Sequence, residues 1–337
     1  MKISVSLYSN EYTSRSLEDV VRELDDYSVD LFHLDCMDDL AVFEDIKRIR
    51  SVSSKPIDLH IISAEPSKFT ESIADHAVEY VTFQHENLPE GVGLPSNAGT
   101  RFGIAITSQT QNSAFDVYAA QADFIVFMAT APGKSGGRFD KAIFKKIRAF
   151  RKKHPDKKVH VDGGVNAEVS FILRNMGVVT SVSGSYVFKA SCLGAALMDL
   201  RNKDTESHYK IQDFMIEKDE APILPPGLRT FRDVLVSIDE HRLGFTILVD
   251  DAGRLEGLIA NADVRKGLIR SIENIGALNV GDIVNRSPVF IDEEATVSEL
   301  LRLVKSATVP VTYLPVTNSR REVTGALTFF NLIDGEL

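Results

Sequence analysis

The sequence predicts an α/β protein: a (β/α)8 barrel followed by a smaller α+β module made of a repeated unit. Eight short apolar runs alternate with amphipathic stretches over about the first 200 residues, which is the signature of parallel strands joined by crossover helices. A polar, proline-bearing stretch follows, and beyond it one pattern of helix, strand, turn, strand and helix occurs twice. At 337 residues, 44% hydrophobic and 26% charged, the chain has enough apolar material for a sizeable core and a second domain.

The strands expected in the barrel are 3–7, 31–34, 57–61, 80–83, 102–106, 124–128, 158–161 and 179–182. Between them, segments such as 17–26, 139–153 and 167–176 repeat apolar residues at three-to-four spacing, as helices packed on a sheet do. The barrel is assigned to residues 1–203, a linker with Pro222, Pro225 and Pro226 to 204–226, and the repeated module to 227–337. Its first copy reads as helix 230–241, strand 245–249, turn 250–253, strand 255–259 and a helix from Asp263; its second as helix 297–306, strand 313–316, turn 318–321, strand 323–327 and a helix near Asn331. A repeat of about 60 residues is too long for a solenoid unit.

A formal charge of −10 argues against nucleic acid or an anionic membrane as partner, so any phosphate recognition must be local. No apolar run reaches the roughly 20 residues of a membrane span. The opening Met1-Lys2-Ile3-Ser4 reads as the start of a strand rather than a signal peptide, so a cytoplasmic location is expected. Cys36 and Cys192 lie in apolar contexts and read as reduced, structural residues.

Four residues at strand ends carry the chemistry: His33 and Asp35 on the second strand, His60 on the third and Asp162 on the seventh. Singly, each reads as a hydrogen-bonding or capping residue. Strand side chains alternate, so His33-x-Asp35 presents both groups on one face, and the mouth of a small barrel gathers distant strands. Two imidazoles and two carboxylates there make a divalent-metal site, and nitrogen and oxygen donors leave zinc, iron, manganese and cobalt open. Glycines mark a phosphate end: Gly163-Gly164 after strand seven, Gly184-Ser185 after strand eight, and Pro132-Gly133 with Gly136-Gly137 after strand six. Any one pair reads as a tight turn, whereas three groups after successive strands favour phosphate. Lys134 and Arg138 add charge to that loop.

An ordered series of segments resembles ribulose-phosphate 3-epimerase over residues 1 to about 200. It comprises Ser6-Leu7-Tyr8-Ser9, His33-Leu34-Asp35-Cys36-Met37-Asp38, Asp58-Leu59-His60, Thr82-Phe83-Gln84-His85-Glu86, Met128-Ala129-Thr130-Ala131-Pro132-Gly133 with Gly136-Gly137, Val161-Asp162-Gly163-Gly164-Val165-Asn166, and Ser183-Gly184-Ser185. The resemblance implies metal-dependent 3-epimerisation of a ketopentose phosphate, ribulose 5-phosphate to xylulose 5-phosphate or a close relative. It also implies substrate contacts from Ser9, Met37, Met128, Ser185 and the glycines Gly133, Gly136, Gly137, Gly163, Gly164 and Gly184. Inverting a carbon beside a carbonyl needs a base on one face and an acid on the other, and Asp35 and Asp162, from strands across the mouth, suit that task. A carboxylate with an ordinary pKa near ~3.9 is a weak base for a carbon acid, so the cation is expected to stabilise the developing oxyanion.

Several positions depart from the family pattern. The chain reads Asp38-Asp39-Leu40-Ala41 where a longer substrate cover is usual, Ala131 stands for Asn, Gln84 for His, and Thr107-Ser108 for Asn-Pro. These changes bear on which hydroxyls are read. A related lyase is an alternative, but it would use an Asp-x-Lys-x-x-Asp cluster, and no lysine lies in 31–39. A sugar-phosphate sensor without turnover is another.

The C-terminal half resembles a tandem CBS pair, a regulatory module that often binds adenine nucleotides and mediates dimerisation; a homo-oligomer is expected. The family's ribose motif is half kept in each copy: Gly257 to Asp263 retains the acid but has Ala260 for the hydroxyl, while Gly325 to Asn331 retains Thr328 but loses the acid. Asp263 and Thr328 are therefore the nucleotide contacts that the resemblance implies.

Overall fold

The computed structural model describes residues 1–12, 15–201, 209–307 and 311–329. Strands β1 (Lys2–Ser6), β2 (Leu31–Cys36), β3 (Ile57–Ile61), β4 (Tyr80–Gln84), β5 (Arg101–Thr107), β6 (Phe124–Met128), β7 (Lys158–Asp162) and β8 (Thr180–Ser183) are all parallel and close into a barrel in chain order. Each apolar run became a strand. Helices α1 (Leu17–Asp26), α2 (Val42–Arg50), α3 (Thr70–Asp75), α4 (Ala142–Lys153) and α5 (Ala167–Asn175) follow five of them, and α6 (Ser185–Phe188) with α7 (Leu193–Arg201) follows β8. Among the described residues β4 and β5 are followed only by 3-10 turns, His85–Asn87 and Asn112–Tyr118. The segment after β4 carries Pro89, Gly91, Gly93 and Pro95, which remove amide donors and favour open backbone over helix.

Strand alternation sorts the barrel wall into two sets. Val5, Phe32, Leu34 and Leu59 are paired across strands and fully buried, sharing the face that meets the apolar stripes of helices such as α1 (Val20, Val21, Leu24) and α4 (Ile143, Phe144, Ile147, Phe150). The opposite parity holds Ser4, His33, Asp58, His60, Gln84 and His160, all buried, so the barrel interior is unusually polar. Lower in the barrel Gly103 faces Phe124, where an added Cβ would sit 2.2 Å from the ring, and His160 stacks on that ring at 4.3 Å. Burial pushes the His160 imidazole down to about 4. It is a neutral packing element near pH 7.

The second compact unit spans residues 206–330, as far as these are described. It contains β9 (Ile216–Glu217), β10 (Ile223–Leu224), α8 (Phe231–His241), β11 (Phe245–Val249), β12 (Leu255–Ala260), α9 (Asn261–Arg270), β13 (Ile291–Asp292), α10 (Val297–Ser306), β14 (Tyr313–Thr317) and β15 (Val323–Thr328). The two copies repeat each other in detail. β10 runs parallel to β11 as β13 does to β14, both hairpins are antiparallel, and each has a bulge at the same place, Leu248/Val249 and Val316/Thr317. Thr230 and Thr296 cap α8 and α10, each accepting from the amide three residues on and reciprocated by Asp233 and Glu299, as capping boxes do. The hairpin turns of the two copies also bond to each other, Leu255 N to Arg321 O at 2.9 Å and Val323 N to Gly253 O at 2.9 Å.

The stretch expected as a linker is in part folded. Ile211–Asp213 forms a 3-10 turn, β9 pairs with β15 and β10 with β11, so residues from about 210 belong to the module. A second 3-10 turn, Val280–Asp282, leads to Asn285, which pairs with Leu258 much as Ile216 pairs with Ala326. Two-residue strands leave no alternation to read, and the prolines beside β10 imitate a linker. The expected final helix near Asn331 lies outside the described residues.

Candidate active site and metal centre

The cluster at the barrel mouth is a product of register. β2 and β3 pair so that His33 faces Asp58 and Asp35 faces His60, giving two imidazole–carboxylate rungs two residues apart on the inward parity. β7 brings Asp162 to the same point. One ligand atom from each of His33, Asp35, His60 and Asp162 lies within 4.8 Å of all the others. His33 Nε2 stands 3.5 Å from Asp35 Oδ1 and 3.6 Å from Asp162 Oδ2, and His60 Nδ1 is 3.1 Å from Asp35 Oδ1.

The set fits a cation. His33 Nε2 is buried without a hydrogen-bond partner, a costly state for a polar atom that a metal would relieve. On the other side of the ring Nδ1 meets Asp58 Oδ2 at 3.0 Å, and the same oxygen accepts Ser4 Oγ at 2.9 Å. A carboxylate there keeps a proton on Nδ1, so Nε2 is the nitrogen left to face a cation. For His60 the arrangement is reversed: Nε2 meets Gln84 Oε1 at 2.9 Å, and Nδ1 faces the cluster. Gln84 in turn donates to Glu86, which also accepts Thr107 N and Oγ1 at 2.9 Å each and Thr110 Oγ1.

The two carboxylates are driven apart electrostatically. Burial pushes Asp162 up to about 6, with Asp35 adding repulsion and the imidazoles opposing it. Burial acts on Asp35 in the same sense, but the imidazoles of His33 and His60 beside it outweigh it and hold Asp35 well below the usual carboxylate range. Burial also opposes charge on His33, yet Asp58, Asp162 and Asp35 together raise it. A divergent pair of carboxyl groups in one pocket is the pattern of an acid–base couple.

A cavity of about 420 Å³ opens beside Asp35 and Asp162. Ser9, Met37, Met128, Gly133, Gly136, Gly163, Gly164, Gly184 and Ser185 line it; Gly137 does not, and an added Cβ at Gly137 would press on Thr130 at 2.5 Å. Gly163 and Gly164 hold φ of +101° and +65°, and a Cβ at Gly163 would fall 2.1 Å from Thr130 Oγ1, so only glycine fits. Ser9 Oγ lies 2.8 Å from Ser135 Oγ, joining the segments after β1 and β6. Lys134 reaches the cavity wall and Arg138 does not. Both cysteines are free, Cys36 buried and Cys192 exposed.

In the second unit Asp263 Oδ2 accepts the Ala260 amide at 3.0 Å, capping α9. Thr328 ends β15 opposite Tyr313, whose ring stacks on Phe245 at 4.7 Å. Burial and the Asp263 carboxylate together raise the Tyr313 hydroxyl, which places the acid of one copy near the strand of the other. Asn331 lies outside the described residues. No helix among the described residues is long and apolar enough to cross a membrane.

Sequence reasoning missed Asp58 and Gln84 as supports of the cluster. The alternation that assigned His33 and His60 inward assigns Asp58 and Gln84 inward as well, and that signal was available.

Comparison with known proteins supports the barrel reading from its first strand to its last. The model for the ribulose-phosphate 3 epimerase family matches residues 2–188, and that for the CBS domain matches residues 280–335. The ribulose-phosphate 3-epimerase of Schizosaccharomyces pombe is 27% identical over 215 residues, covering 60% of this chain and 92% of its own. That of Helicobacter pylori strain 26695 is 27% identical over 216 residues, covering 60% and 97%. A solved CBS-pair protein from Arabidopsis thaliana is 21% identical with a TM-score of 0.32, covering 38% of this chain and 94% of its own. Since the first of these family matches takes in more than half of the 337 residues, the chain belongs to the ribulose-phosphate 3-epimerase family and carries a CBS domain in its C-terminal part.

Proposed function

We propose that the protein interconverts the C3 epimers of a ketopentose phosphate, ribulose 5-phosphate and xylulose 5-phosphate or a close relative. One observation carries this reading: two half-buried carboxyl groups with proton affinities pushed apart, beside an imidazole nitrogen without a hydrogen-bond partner, on the wall of a cavity edged with glycine. One carboxyl group removes the C3 proton and the other returns a proton to the opposite face. Asp35 on β2 and Asp162 on β7 are that pair. His33, Asp35, His60 and Asp162 would hold one divalent cation, zinc, iron, manganese or cobalt. Bound there, it supplies Lewis-acid stabilisation of the enediolate oxygen, worth several kcal/mol. Gly163, Gly164, Gly184 and Ser185 serve the phosphate, and Met37 and Met128 cover the sugar. Ser9 braces Ser135 on the cavity wall.

The test is solvent deuterium entering C3 of ribulose 5-phosphate with each metal supplied in turn. Asp35→Asn and Asp162→Asn are each expected to abolish exchange while far-ultraviolet circular dichroism stays unchanged. Absence of exchange with every pentulose and hexulose phosphate would sink the reading. For the C-terminal pair we propose an adenine nucleotide as ligand, supported by Asp263 and Tyr313 drawing together from different copies and by Thr328 at the matching strand end.

A further inference from the structure

We infer that Glu86, acting through Gln84, selects the ring nitrogen that His60 offers to the metal, and is a positioning residue for the centre although it touches neither metal ligand nor cavity. The inference rests on the metal-dependent reading above.

A chain of single-option hydrogen bonds runs inward from Glu86 to the cluster. A carboxylate can only accept. Glu86 Oε1 is already engaged by Thr107 N, Thr107 Oγ1 and Thr110 Oγ1, and Oε2 takes Gln84 Nε2. Turning the Gln84 amide round would set its carbonyl against that carboxylate with no proton between them. The amide is therefore fixed, and Oε1 faces His60 Nε2 at 2.9 Å. That oxygen can only accept, so the His60 proton sits on Nε2. With a proton fixed on Nε2, Nδ1 is the nitrogen turned to the cluster, 3.1 Å from Asp35 Oδ1, and the one that would offer its lone pair where a cation displaces the proton shared with that carboxylate. His60 and Gln84 are each 1% exposed, so water cannot stand in for either partner. Glu86 is the last fixed point: it is solvent-accessible, and its orientation is held by the segment after β5 rather than by burial.

His33 reaches the opposite choice by direct contact, since Asp58 holds Nδ1 and frees Nε2. The centre thus takes Nε2 from one ring and Nδ1 from the other. One selection is made by a carboxylate in contact, the other by a carboxylate one amide away.

The test is a charge swap read by metal affinity and by tautomer. In Glu86→Gln the anion is gone, the Gln84 amide is free to turn, and its NH2 favours a His60 proton on Nδ1. Zinc or cobalt(II) affinity, measured by chelator competition on the full chain, is expected to fall about 10- to 100-fold. Nitrogen-15 imidazole spectra of the metal-free protein are expected to show His60 Nε2 losing its proton while Nδ1 keeps the one it shares with Asp35. The double variant Gln84→Glu with Glu86→Gln restores an acceptor against His60 Nε2 and a donor between positions 84 and 86, and is expected to recover most of the affinity and the original tautomer. Gln84→Glu alone sets two carboxylates together and is expected to bind metal poorly. A Glu86→Gln protein that keeps wild-type affinity and the Nε2 proton overturns this inference alone; a swap that fails to recover either readout, in a folded protein, overturns it too. Wild-type protein that binds no divalent metal overturns it together with the reading on which it rests.

Discussion

Asp58 shows how much one residue can decide. It is 4% exposed and holds both the Nδ1 side of His33 and the Ser4 hydroxyl. Burial alone would raise its pKa, but His33 and then His160 outweigh that and keep it low, so it remains an anion inside the barrel. Asp58→Asn lets an amide NH2 face Nδ1, which favours the proton on Nε2 where the metal would bind. Metal affinity is expected to fall about 10- to 100-fold in chelator competition, with activity falling in step; an unchanged dissociation constant would show that His33 orients itself. At this scale the sequence was readable in one respect and opaque in another. The inward parity of His33, Asp35, His60 and Asp162 followed from alternation, whereas the partner that each imidazole finds behind it depends on side-chain rotamers that spacing does not encode. Gln84 stood out only as a departure from a pattern, and its role emerged from what Glu86 forces upon it.

Among the elements, the strands were the legible part, because eight apolar runs bounded by turns leave few other readings. Two expected helices, after β4 and β5, are 3-10 turns instead, since proline, glycine and local polar side chains offer the backbone cheaper arrangements. β9 and β10, of two residues each, were hidden within a polar stretch. β5 contains a position with little tolerance of change. Gly103 lies under the Phe124 ring, which His160 backs at 4.3 Å, so a methyl group there has no room on the inward side. Gly103→Ala is expected to destabilise the barrel by about 1–3 kcal/mol, seen as a lower urea midpoint. A midpoint equal to that of the wild type would mean that the Phe124 and His160 stack slides freely.

For the whole molecule, the barrel and the C-terminal unit were both foreseen, and the paired strands β9 and β10 lie within the stretch read as a linker. The repeat is closer in structure than in sequence: bulges, caps and edge pairings coincide while few side chains do. That difference follows from what each level constrains, since a hairpin needs only register and turn geometry. If the pair binds an adenine nucleotide, adenosine monophosphate at about a hundredfold its dissociation constant adds about 2.7 kcal/mol to the stability of that unit. Calorimetry on the intact chain reads this as an upward shift of one transition, and no shift with any adenine nucleotide would remove the nucleotide proposal.

The mutual bonds between the two hairpin turns, Leu255 to Arg321 and Val323 to Gly253, have a mechanical result. They rivet the copies tip to tip, so a clamshell opening of these lobes has to break both bonds. With both intact, whatever lodges against Asp263 and Thr328 has to slip in past the rim, and amide exchange at the riveted tips is then the same with the seat filled or vacant.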